Sequence, residues 1–77
     1  MDKAKIIAEL EAAPTHIRFA RLAAICDHFF GAPRQSKTSH RVYQTPWLGD
    51  PRINIQKDGD KAKPYQVKQV IKALKKL

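Results

Sequence analysis

Ser39-His40-Arg41-Val42-Tyr43-Gln44-Thr45 runs through Pro46-Trp47-Leu48-Gly49-Asp50-Pro51 into Arg52-Ile53-Asn54-Ile55-Gln56. The first segment alternates weakly and carries β-branched and aromatic residues, which suits a strand. The middle segment is dense in turn formers. The last alternates cleanly, with Ile53 and Ile55 facing inward and Arg52, Asn54 and Gln56 facing outward. Two strands this short need other elements to cover their apolar face.

The flanking sequence supplies that cover. Asp2 to Ala12 reads as a short amphipathic helix with Ile6, Ile7 and Leu10 on one face, Asp2 as its cap and Pro14 as its stop. Thr15 caps a second helix from about His16 to Phe30, closed by Gly31. In it Phe19, Leu22, Ala23, Cys26, Phe29 and Phe30 recur at helical spacing, which makes it the main core helix. Gly31 to Thr38 reads as a loop or an irregular strand. After a loop through Asp58-Gly59-Asp60, Lys63-Pro64 opens a last helix with an apolar stripe of Val67, Val70, Ile71 and Leu74. The expected class is α+β, with a small antiparallel three-stranded sheet (two-stranded if the Arg34 region is not a strand) and helices on one face. Residues 1–77 form one domain, with 1–13 as an additional N-terminal helix before a core of 15–77.

Seventy-seven residues leave no room for a second core. The large apolar residues must go to packing, which argues against an enzyme with a deep small-molecule pocket. Charge is distributed unevenly. Up to Pro33 the chain is neutral, whereas from Arg34 onward eleven Lys or Arg stand against Asp50, Asp58 and Asp60 and account for the whole net charge of +8. Such asymmetry in a small domain points to a polyanionic partner. The single cysteine, Cys26, lies in an apolar helical stretch and reads as a buried small hydrophobe. No Cys/His cluster offers a zinc site. No stretch resembles a signal peptide or a membrane span, so the cytoplasm is the expected compartment.

Within the basic region, His40 is surrounded by Lys37, Thr38, Ser39 and Arg41. Histidine is the side chain whose unperturbed titration lies nearest neutrality, so it can act as a general base there. RNA carries its own nucleophile, the ribose 2′-hydroxyl. A base to take that proton and cations to steady the charge on the phosphorane would suffice for slow cleavage without a metal. The alternative for His40 is a strand histidine with no chemical role. His16, at the first turn of the second helix, reads as a neutral capping-region side chain, and His28, on the polar side of that helix, reads as solvated. Arg34, Lys37, Arg41, Arg52, Lys57, Lys61 and Lys63 could form one phosphate-binding surface. Trp47 and Tyr43 are the aromatic candidates for base stacking, Trp47 also for packing over the edge of the core.

The order of these elements and the run Ser39-His40-Arg41-Val42-Tyr43 resemble the HicA family of toxins from bacterial toxin–antitoxin pairs, over about His16 to Leu77. The run is similar to the family's Gly-Ser-His motif followed by an apolar or aromatic pair. Lys63-Pro64-Tyr65-Gln66-Val67, leading into Val70-Ile71, is similar to its closing Lys-Pro helix. The resemblance implies a double-stranded-RNA-binding-like fold and ribosome-independent mRNA cleavage. It implies His40 as the catalytic residue and a HicB-like antitoxin as partner; on this reading Ser39, Thr38 or Tyr43 would orient the imidazole. Arg34, Lys37, Arg41 and Lys63 are then expected to hold RNA phosphates, with no cofactor and no metal. Two departures stand out: Thr38 occupies the motif's glycine position, and Gln56-Lys57-Asp58 replaces a frequent Pro-x-His. The other readings are a non-catalytic RNA-binding module on the same fold and a basic protein-interaction domain.

Overall fold

The computed structural model describes residues 1–37, 39–47 and 52–77, with the backbone alone for 35–37. Helix α1 spans Lys3–Ala12 and α2 Phe19–Phe30. Strands β1 (Gln35–Lys37), β2 (His40–Tyr43), β3 (Ile53–Asp58) and β4 (Lys61–Ala62) follow, and α3 is Pro64–Lys76. The class is α+β, as expected. Antiparallel β1, β2 and β3 form the sheet, and the two-residue β4, which no local sequence pattern marks, extends it beyond β3.

Asp2 caps α1, its carboxylate accepting the N–H groups of Ala4 (2.9 Å) and Lys5 (3.3 Å). This satisfies two of the donors that a helix start leaves open. The second helix starts later than its sequence suggests. Arg18, not Thr15, is its N-cap, and 16–18 are not helical. The reason is non-local: Ile17 accepts the N–H of Ala62 and Phe19 donates to Asp60, so this backbone is engaged with β4 and its hairpin. Gly31 then closes α2 at φ +82°, a conformation that favours glycine. Gly59, at φ +67°, makes the β3–β4 turn.

Helix α3 follows its sequence closely: Val67, Val70, Ile71 and Leu74 are all buried. They join Leu10, Phe19, Leu22, Ile25, Cys26, Tyr43, Ile53 and Ile55 in one core. Helices α2 and α3 pack on the sheet, whereas α1 packs on α3. Among the described residues no helix is long and apolar enough to cross a membrane.

Candidate functional site

The faces of the sheet decide what can meet what. Successive strand residues point to opposite sides. Tyr43 is fully buried and donates its hydroxyl proton to the Asp27 carboxylate on α2. Two residues earlier, Arg41 also reaches Asp27, at 3.4 Å. Tyr43 and Arg41 therefore lie on the helix-covered side. His40 and Val42 point the other way, toward the side that carries exposed Asn54 between buried Ile53 and Ile55.

On that side His40 is half-buried, and its Nε2 lies 3.3 Å from Asn54 Oδ1. With the amide oxygen as acceptor, the neutral ring carries its proton on Nε2 and leaves the Nδ1 lone pair to accept another. The register partners of His40 are Lys37 on β1 and Gln56 on β3, a cation and a neutral amide. Gln56 donates its N–H at 2.7 Å to Gln66 Oε1, which is buried in the first turn of α3. Lys63 is the N-cap of that helix, and Tyr65, more than half exposed, follows it. A single residue of β3 thus separates the His40 strand from the start of α3.

The residues singled out from sequence do not all gather here. Ser39 is exposed in the turn before β2, and its carbonyl accepts the N–H of Lys57 at 2.9 Å. Lys37 stands opposite His40 in register, but its side chain and all of Thr38 lie outside the described residues. Arg34 belongs to the opposite end of β2, where its N–H donates to Val42 at 2.7 Å and its guanidinium to Gln44. Arg41, grouped with His40 on sequence proximity, lies across the sheet from it and is ion-paired. Its Nε is buried with no partner among the described residues. Tyr43 is unavailable for stacking on a base. Burial, and then Asp27 beside it, push its phenol well above the ordinary range, so it remains a donor.

Of the other expected roles, the capping one of His16 does not hold, because 16–18 are not helical, whereas those of His28, Cys26 and Trp47 do. His16 is exposed with Nδ1 2.9 Å from Thr15 Oγ1, and His28 is exposed against the edge of Phe29. Cys26 is fully buried, and burial pushes its thiol up to about 12. Trp47 is half-buried and packs against the core. Among the described residues no three His, Cys, Asp or Glu side chains come together. Two contributors escaped sequence reasoning. Asn54 was read only as outward-facing, and pairing it with His40 requires the register. Tyr65 was read within a helix-opening motif, and its exposure follows from lying off the Val67–Val70–Leu74 stripe.

Comparisons with protein-family models, with curated proteins and with solved structures found no match.

Proposed function

We propose that this chain is a HicA-like toxin, an endoribonuclease that cuts mRNA in the cytoplasm without the ribosome or a metal, on a double-stranded-RNA-binding-like core. The supporting observation is the His40 ring, half-exposed on the helix-free side of the sheet. Asn54 orients it, and a lysine is its register partner. In this mechanism Nδ1 of His40 takes the 2′-hydroxyl proton as the 2′-oxygen bonds to the adjacent phosphorus. The phosphorus–5′-oxygen bond breaks, and the departing oxygen takes a proton from solvent. The products are a 2′,3′-cyclic phosphate and a free 5′-hydroxyl. Lys37 and Lys63 hold the phosphate charge, and Ser39 borders the base. A HicB-like antitoxin would mask this face in the resting cell.

Induced expression tests the reading in vivo. The wild-type chain should arrest growth and deplete mRNA, and His40→Ala should relieve both while still folding. Equal toxicity from a folded His40→Ala protein would remove His40 from the mechanism. A second reading is an RNA-binding module without catalysis. It is favoured by the placement of His16 before α2 and of His28 on it, which leaves His40 without a second imidazole to protonate the leaving group.

A further inference from the structure

One cleft in the described molecule opens away from His40. Its volume is about 370 Å³, and it opens between Trp47 and the C-terminal half of α3. Arg52, Lys72 and Lys76 line it with Gln69, over an apolar floor of Ile53 and Ala73. No carboxylate among the described residues lines this cleft, whereas two other clefts include Asp27 and Glu11 respectively. Lys76 Nζ sits 4.4 Å from the centroid of the Trp47 ring, an approach that gathers positive charge at an aromatic surface. Lys72 lies one helical turn before Lys76, on the same side of α3.

We propose that this cleft is a nucleotide subsite that binds one phosphate-bearing unit of single-stranded RNA away from the point of cleavage. Cations around an aromatic ring and an apolar floor are what single-strand binders combine: charge for the backbone, a flat surface for the base. Arg52 and Lys72 take the phosphate, Trp47 with Lys76 over its ring borders the base, and Gln69 offers an amide to the edge of that base. Arg52 lies four residues before Gln56, the partner of His40, so the cleft begins roughly 13 Å along β3 from the level of the imidazole, at about 3.3 Å per residue, with Ile53 on the helix-covered side of the sheet and His40 on the other. A flexible single strand can reach both. The ligand class rests on the RNA reading above, but occupancy of the cleft does not depend on His40.

Trp47 is the only tryptophan, so its emission reports on this cleft directly. The full chain is titrated with a single-stranded 2′-O-methyl oligonucleotide, which cannot be cut at the modified positions, while anisotropy of a label on the oligonucleotide follows total binding. Tryptophan emission should change in step with anisotropy. Arg52→Ala and Lys72→Ala, both at exposed positions, should each weaken binding about three- to tenfold, and His40→Ala should leave the emission change intact. Binding seen by anisotropy with silent tryptophan emission would overturn the subsite, as would unchanged affinity in both cleft variants. Equal affinity and emission change with polyglutamate would assign the cleft to acidic proteins instead and also reject the proposal. Loss of cleavage by His40→Ala alongside a normal tryptophan response separates failure of one claim from failure of the other.

Discussion

At the scale of single residues, the proposed chemistry rests on the imidazole of His40 and the Asn54 amide 3.3 Å from it. General-base catalysis contributes roughly 10²–10⁴-fold, so His40→Ala should lower the rate of RNA cleavage by about that factor with little effect on RNA affinity. In the proposed mechanism Asn54 acts through His40 as a positioning residue. Asn54→Ala should lower kcat about tenfold while KM and thermal stability stay near wild type, since the side chain is exposed. A matching rise in KM would instead make Asn54 a binding group. Cys26 offers an independent check on the core. With its thiol buried and pushed up to about 12, it should resist a thiol-labelling disulfide at pH 8. It should react only when denaturant opens the fold, and rapid native-state labelling would contradict the packing described. Alternation along β2 already implied that Arg41 and His40 could not share a face, so their separation was legible from period two. The partnership of His40 with Asn54 was not, because strand register depends on pairing that no local pattern states.

At the scale of elements, α1 is structural rather than ornamental. Leu10 is fully buried and Ile6 nearly so, both in the same core as α2 and α3. Leu10→Ala should cost about 2–5 kcal/mol, comparable to the whole stability of so small a domain, and leave the protein largely unfolded at 25 °C by circular dichroism. The Glu9–Arg21 pair ties α1 to α2 with two hydrogen bonds of 2.7 and 2.8 Å. The hydrogen bond from Arg21 lowers the Glu9 carboxyl below its usual range. Its contribution is therefore present above the unfolded value of about 4.3 and is lost as pH falls through the folded one. Because both side chains are about two-fifths exposed, solvent screening limits the effect. Glu9→Gln should cost roughly 0.2–1 kcal/mol at pH 7 by chemical denaturation, a difference that closes in acid. Helix α3 was legible because its determinants are local: a proline in the first turn and a stripe at helical spacing. The start of α2 was not. Ile17 and Arg18 can extend a helix by pattern, but their backbone is claimed by residues more than forty positions away.

At the scale of the molecule, the charge imbalance sets the behaviour toward any polyanion. Most acids of the described residues are committed within the fold: Glu9 to Arg21, Glu11 to Lys75, Asp27 to Arg41, Asp60 to Arg18. Those pairs involve only four of the fifteen Lys and Arg, so much of the positive charge faces solvent. If three phosphates are neutralised, affinity for single-stranded RNA should fall roughly 20-fold between about 50 and 200 mM salt, at ~0.7 per phosphate on a log–log plot. The one-sided charge was readable from residue counts. Its division was not: Arg41 and Lys57 border α2 while Arg52, Lys72 and Lys76 surround the tryptophan cleft, because folding sorts charges by face and end rather than by position in the chain.

Cleavage itself is the most direct test. Purified wild-type and His40→Ala chains are incubated with end-labelled RNA in EDTA at neutral pH, and the fragment ends are identified. The wild-type chain should generate 2′,3′-cyclic phosphate and 5′-hydroxyl ends, and the folded variant should generate almost none. Intact RNA with the wild-type chain, or equal cutting by both, would contradict the account.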